Sequence, residues 1–221
     1  MKEVKNDLLR TQLMNLRKNY SNKPLNEAEV DPDPFRQFEI WFGEVLKSEV
    51  SEPNAMFLAT AGKNSVPSVR TVLLKGFDKN GFVFYTNYKS KKARDLSENP
   101  VAALLFFWKE LERQIRLGGN VVKTSVEESR EYFKTRPRES RLGAWASEQS
   151  SEIADRETLE RKFKFYEEKY KNKDVDLPPF WGGFRLIPDY FEFWQGRENR
   201  LHDRIFYRKT PEGWNIKRLS P

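Results

Sequence analysis

Four stretches of this sequence set basic or hydroxyl side chains among strongly apolar or aromatic neighbours, where a charge needs a partner or a ligand. The first is Arg70-Thr71-Val72-Leu73-Leu74-Lys75. So apolar a run predicts a central strand, and its two charges, five positions apart, fall on opposite faces of a flat strand. One ligand meets both only across a twist, a bulge or the strand end. A snorkelling arginine and a strand-end lysine fit the same pattern. The second stretch is Tyr85-Thr86-Asn87 followed by Ser90-Lys91-Lys92-Ala93 at a helix start. Free backbone N–H groups there favour anions, and lysines conflict with the helix dipole unless an anion lies between them. That conflict points to phosphate, with a basic surface turn as the alternative.

The third stretch holds Tyr132, Arg136 and Ser140, with Gln149-Ser150-Ser151 beyond it. Tyr132 and Arg136 are one helical turn apart and can converge on one anion; Pro137 then breaks the helix and carries Ser140 round the corner. The fourth is Trp194-Gln195-Gly196 leading to Arg200-Leu201-His202-Asp203-Arg204. Arg200 and His202 share a face if the chain is extended. With a nearby tryptophan they frame a flat, charged aromatic ligand, although a lone histidine is more often structural.

The elements that must position these residues follow from periodicity and turn signals. Leu9, Leu13, Leu16 and Tyr20 predict an amphipathic helix over the first twenty residues, with Arg17 on its solvated side. Asp33-Pro34 opens a second helix with Phe35, Phe38, Trp41, Phe42, Val45 and Leu46 inward. Strands are predicted over 55–61, 68–77, 82–86, 101–108 and 112–122, with Asp78-Lys79-Asn80-Gly81 as a hairpin turn. A short helix is expected over 89–98. Ser125 and Glu128 form a capping-box pattern for a helix through Lys134, and further helices are expected over 139–146 and 155–171. The chain closes with strands over 183–187, 190–195, 204–209 and 214–218. The sum is one mainly β domain: an antiparallel barrel with helices packed outside it.

The chain has 221 residues and a formal charge of +7, with 17 Phe, 8 Tyr and 6 Trp, too aromatic for a disordered chain. The positive charge fits nucleic acid or a small phosphorylated ligand. Because basic and acidic residues are interspersed, with Lys89–Lys92 the only dense basic run, the small ligand is favoured. With no cysteine there is neither a disulfide nor a thiolate site, which fits a cytoplasmic protein. A single histidine excludes His-rich metal sites and leaves little room for a Ser-His-Asp triad. No run approaches the ~20 apolar residues of a membrane span, and the N-terminus lacks a signal peptide's apolar stretch. No Gly-x-Gly-x-x-Gly follows a strand, so no dinucleotide fingerprint is present.

Taken together and in order, these stretches resemble the pyridoxine/pyridoxamine 5′-phosphate oxidase family. The segments RTVLLK, FYTN with SKKA, LERQ, YFKTRPRES with GAWAS, FWGGF and FWQG with RLHDR carry the likeness over nearly the whole chain. The resemblance implies a split β-barrel homodimer with FMN in clefts between subunits. It also implies oxidation of pyridoxine 5′-phosphate or pyridoxamine 5′-phosphate to pyridoxal 5′-phosphate, with O₂ as acceptor and hydrogen peroxide released. FMN would be contacted by Arg70, Thr71, Val72, Leu73, Leu74, Lys75, Tyr85, Thr86, Lys91, Lys92, Gln114, Gln149, Ser150, Trp194 and Arg204. The substrate phosphate would lie among Lys75, Tyr132, Arg136 and Ser140. Arg200 and His202 would cover the pyridine ring as the catalytic pair, and Arg17 and Tyr20 would belong to an N-terminal lid. Two positions depart from the familiar pattern: Lys91 stands where arginine is common, and Arg197 where a small or neutral residue is. Another FMN-binding split-barrel protein, such as a flavin reductase-like one, would keep the FMN residues but not the Tyr132/Arg136/Ser140 cup or the Arg200/His202 pair. A nucleic-acid-binding barrel would use its aromatics as stacking platforms.

Overall fold

The computed structural model describes residues 12–16, 20 and 23–221. Of the first expected helix, residues 12–15 are helical, and Arg17 lies outside the described residues. Helix α1 (Pro34–Leu46) begins where Asp33 accepts a hydrogen bond from the Phe35 N–H and Pro34 fills the first turn. It buries Phe38, Trp41 and Val45. Leu46, expected inside, is exposed because the helix ends there.

The strands are β1 (Ala55–Ala61), β2 (Pro67–Leu73), β3 (Gly76–Asp78), β4 (Gly81–Asn87), β5 (Val101–Trp108), β6 (Arg113–Lys123), β7 (Trp181–Gln195), β8 (Asp203–Thr210) and β9 (Gly213–Arg218). Between them lie helices α2 (Lys91–Glu98), α3 (Val126–Thr135), α4 (Arg138–Ala146) and α5 (Arg156–Lys169). All pairs are antiparallel, in the order β2-β1-β5-β6-β7-β4-β3, with β8 on β7 and β9 on β8. β7 splits the barrel. One edge pairs with β6 along its length; on the other, Trp181–Leu186 meets β4 and Tyr190–Gln195 meets β8.

Two expected strand boundaries are corrected. The run 68–77 is not one strand: it turns at Leu74-Lys75, so β2 pairs with β1 while β3 pairs with β4. β2 is an edge, not a central strand, with Val69, Thr71 and Leu73 exposed. Conversely, the two strands expected at 183–187 and 190–195 are one. Pro188 cannot donate to the ladder, and the register shift at Gly118/Gly119 accommodates it. Gly119 is required there, since a Cβ would lie 2.1 Å from the Ile187 carbonyl oxygen.

The core is aromatic. Phe38 packs edge-on against Phe82, Phe77 and Phe106, and Phe191, Phe193 and Tyr207 are fully buried. A second cluster of Phe133, Leu142, Tyr170, Val175 and Trp181 seats α3 and α4 against the start of β7. No described helix is long and apolar enough to cross a membrane.

Candidate active site

A cavity of about 620 Å³ opens between the β2–β3 corner, β4, the α2 start and the α3–α4 corner. It is lined by Arg70, Thr71, Val72, Leu73, Lys75, Tyr85, Thr86 and Lys92, and by Tyr132, Arg136, Ser140 and Gln149. The break at Leu74-Lys75 brings the two ends of the Arg70–Lys75 stretch to one cavity, the route by which residues on opposite strand faces meet one ligand. Leu74 is buried in the core instead.

Two cationic regions share this space. In the first, Arg70 donates to the Leu58 carbonyl, Thr60 Oγ1 and Ser68 Oγ, and lies 3.9 Å from the Asp95 carboxylate. Lys92 points inward from the first turn of α2 and donates to Gln149 Oε1 (2.8 Å) and Thr86 Oγ1 (3.1 Å). Burial, and then the nearby Arg70 charge, push the Lys92 ammonium down to about 8. Lys91, also expected at the cofactor, faces outward and pairs with Asp95 at 3.1 Å. Its conflict with the α2 dipole is answered by that carboxylate, so Lys92 carries the anion argument alone. Ser150 is exposed at a left-handed position (φ 71°) just past the cavity's Gln149.

In the second region α3 ends at Arg136 and Pro137 turns the chain into α4, which delivers Ser140 as the sequence predicts. The Ser125 hydroxyl caps α3 through the Glu128 N–H. The capping box is half made, because the Glu128 carboxylate accepts from Arg185 rather than from the cap. Arg136 lies 4.7 Å over the Trp181 ring, and its Nη1 is shielded from solvent with no hydrogen-bond partner. Burial lowers its pKa from the ordinary arginine value, but a guanidinium stays charged. Tyr85 and Tyr132 stack at 4.0 Å, with Trp181 parallel to Tyr85 at 5.4 Å. Burial, then Glu128 and Tyr132, push the Tyr85 phenol up to about 12, so it stays neutral and can donate. Lys75 Nζ lies 5.9 Å from the Tyr132 ring.

The remaining expected residues gather elsewhere, at the far end of β7. Trp194 is cross-strand from Gln114 and from Arg204. Arg204 is held by the buried Glu192 carboxylate (2.9 Å) and the Ser220 carbonyl. The His202 ring packs 4.7 Å from Trp194 and 5.6 Å from Tyr20. Its Nδ1 accepts from the Arg197 N–H, leaving Nε2 to carry the ring proton, and burial followed by the Arg200 charge lowers its pKa. Tyr20 rests on Gly196, where a Cβ would lie 2.8 Å from the tyrosine ring. The chain between Arg197 and His202 is not extended. Glu198–Arg200 forms a 3-10 turn with Asn199 and Arg200 left-handed, so a shared strand face does not align Arg200 with His202. Arg197 pairs with Asp203 at 3.5 Å.

None of this second cluster lines the cavity. Trp181 lies at the cavity and Trp194 at the cluster, thirteen residues apart on one strand. At ~3.3 Å per residue that is roughly 40 Å along β7. Sequence reasoning also missed residues that do line the cavity: Asn87, Gly143, Ala144, Ser147 and Trp181. All five stand in segments that carry the resemblance, FYTN, GAWAS and FWGGF, but their part in the site has no local signal: Asn87 donating to the Ser147 carbonyl, for one, is a tertiary contact.

Known proteins resemble this chain over most of its length. The family profile described as pyridoxamine 5′-phosphate oxidase matches residues 42–170. That of the pyridoxine 5′-phosphate oxidase C-terminal dimerisation region matches residues 181–221. The pyridoxine/pyridoxamine 5′-phosphate oxidase of Burkholderia multivorans is 56% identical over 214 residues, 96% of this chain and 100% of that one. Its counterpart in Acaryochloris marina is 51% identical over 215 residues, 97% of this chain and 98% of that one. Among solved structures, PhzG from Burkholderia lata, in complex with tetrahydrophenazine-1-carboxylic acid, superposes with a TM-score of 0.86. It is 28% identical and covers 92% of this chain and 100% of its own. A pyridoxamine 5′-phosphate oxidase-related, FMN binding protein from Nostoc punctiforme shares the fold, with a TM-score of 0.67 at 19% identity over 85% of this chain and 98% of that one. With the split barrel, the profiles and these full-length relatives in accord, this chain belongs to the pyridoxamine 5′-phosphate oxidase family.

Proposed function

We propose that the protein oxidises pyridoxine 5′-phosphate or pyridoxamine 5′-phosphate to pyridoxal 5′-phosphate, with FMN as cofactor and O₂ as the final acceptor, releasing hydrogen peroxide and, from the amine, ammonia as water hydrolyses the imine. One observation carries this reading: a single cavity holds two separate cationic regions, Arg70/Lys92 and Arg136 with its unpartnered Nη1. Two phosphorylated ligands side by side account for both, since charge-assisted bonds to phosphate need such donors. The residues fit FMN. Lys92, Thr86 and Gln149 present donors for its phosphate, and the cavity size suits a small-molecule site, roughly 300–1,000 Å³.

Bound FMN supplies the two-electron acceptor that no side chain here can provide. The protein's own contribution is placement. Arg136, Tyr132, Ser140 and Lys75 hold the substrate phosphate and so fix where the ring lies. Arg200 and His202 come to that ring from a second copy of the chain, which also brings Gln114, Trp194 and Arg204 to the cofactor. The C-terminal dimerisation region and the exposed apolar face of Phe57, Val69, Leu73 and Phe107 support this homodimer. Arg200 then lays a fixed charge against the ring, and His202 orients the substrate through a hydrogen bond from Nε2. Held in near-attack geometry, the substrate needs no protein nucleophile.

A second reading, with a tetrahydrophenazine carboxylic acid as the ligand, is favoured by the PhzG match alone; it assigns no phosphate to Arg136. The test separates them. Heat-released flavin should chromatograph as FMN, and Arg136→Ala should keep its flavin while the KM for pyridoxamine 5′-phosphate rises. The loss should match a charge-assisted bond of roughly 1.5–3 kcal/mol. Recovery of FAD, or an Arg136→Ala protein with unchanged KM, would contradict the assignment.

A further inference from the structure

Arg136 is held differently from several half-buried arginines among the described residues. Arg185 and Arg204 rest on carboxylates, Asp78 and Glu128 for one and Glu192 for the other. Among the described residues no carboxylate pairs with Arg136. Its guanidinium lies 4.7 Å from the Trp181 ring centroid and 5.5 Å from that of Phe133. A carboxylate partner would occupy N–H groups and cancel the charge. An aromatic face attracts the cation from above and consumes no in-plane donor, and tryptophan does so most strongly.

Trp181 is itself fixed. It is 8% exposed, pairs with Asn87 across the β4–β7 ladder, stacks parallel to Tyr85 and takes Phe133 edge-on at 5.1 Å. A platform so constrained defines where the guanidinium sits. Arg136 itself lines the cavity, and no protein acceptor takes its Nη1.

We propose that Trp181 is a positioning and specificity-determining residue: its indole face holds the Arg136 guanidinium with N–H groups available, and so sets the preference for phosphorylated over phosphate-free substrate. The proposal rests on the reading that Arg136 takes the substrate phosphate, and the experiment separates the two. FMN-loaded protein is titrated by equilibrium dialysis with 4′-deoxypyridoxine 5′-phosphate and with 4′-deoxypyridoxine, which cannot be turned over at the 4′ carbon. Trp181→Leu should weaken the phosphorylated ligand about tenfold, with Trp181→Phe between it and wild type, as the cation–π ranking requires. Neither variant should change binding of 4′-deoxypyridoxine. Arg136→Ala should abolish the preference, and adding Trp181→Leu to it should cause no further loss, since the two act as one unit. Equal losses for both ligands in Trp181→Leu, or full additivity with Arg136→Ala, would reduce Trp181 to packing and overturn the proposal. An Arg136→Ala protein that keeps the wild-type preference would instead overturn the phosphate assignment. If Trp181→Leu fails to fold, Trp181→Phe decides: a phosphate-specific loss supports the proposal, and an unchanged preference overturns it.

Discussion

Lys92 is the residue whose ionisation the fold perturbs most usefully. Its folded-state pKa, about 8, lies below the ordinary lysine value of 10.5. Between those values the unfolded chain binds the extra proton, so the stability of the ligand-free protein rises with pH across that window. Phosphate binding has the opposite sign, because the anion favours the ammonium form. FMN affinity should therefore hold steady up to about pH 8 and fall by up to about tenfold per unit above it. Quenching of FMN fluorescence at pH 7 and pH 9, at constant ionic strength, measures this, and Lys92→Arg should remove the step. Equal affinity at both pH values, or a step that survives Lys92→Arg, would mean that Lys92 does not meet the phosphate. At this scale the sequence is informative about residue types and silent about direction. Lys91 and Lys92 are indistinguishable as letters, yet one stays exposed and pairs with the Asp95 carboxylate while the other turns inward to Gln149, a partner 57 positions away.

Two elements do most of the positioning. The α3–α4 corner delivers Tyr132, Arg136 and Ser140, and β7 carries Trp181 at one end and Trp194 at the other. β7 runs unbroken because its extra residue, Asp189, is taken up as a bulge opposite Gly118/Gly119 of β6. Gly119→Ala should cost about 3 kcal/mol, the upper end of overpacking, because the Cβ would meet rigid backbone at 2.1 Å. Gly43→Ala, in α1 with nothing within 4 Å of the new Cβ, should instead stabilise by about 0.5–1 kcal/mol. Urea unfolding with a shared m-value measures both, and a neutral Gly119→Ala would mean that the bulge does not hold the strand. The helices and hairpins were legible because their signals are local: the Asp33-Pro34 and Ser125 caps and the Asp78–Gly81 turn all form as expected. The errors fall where long-range pairing decides. An apolar run was read through Leu74-Lys75, although its two halves pair with different strands. The strands expected over 183–187 and 190–195 are one, because the extra residue Asp189 is absorbed as a bulge against Gly118/Gly119.

For the whole molecule, the residues expected at the site form two groups, one at each end of β7, and the proposed homodimer joins one group from each copy. At substrate concentrations far below the variants' KM, Arg136→Ala and Arg200→Ala should each be nearly inactive. Mixed and allowed to exchange subunits, they should recover about a quarter of wild-type activity, since half the dimers are hybrids and each hybrid holds one intact site. No recovery despite proven exchange would place both groups within one chain. The family resemblance implies FMN in clefts between subunits, while the spacing of residues alone does not, because nothing local in the sequence shows which side of an interface a strand end faces. The central claim is tested most directly by mixing the yellow holoprotein with pyridoxamine 5′-phosphate in the absence of air and following flavin absorbance. The account predicts bleaching at saturating substrate, then return of the colour on admitting O₂, with hydrogen peroxide and pyridoxal 5′-phosphate formed one for one. Flavin that stays oxidised with pyridoxamine 5′-phosphate and with pyridoxine 5′-phosphate would contradict it.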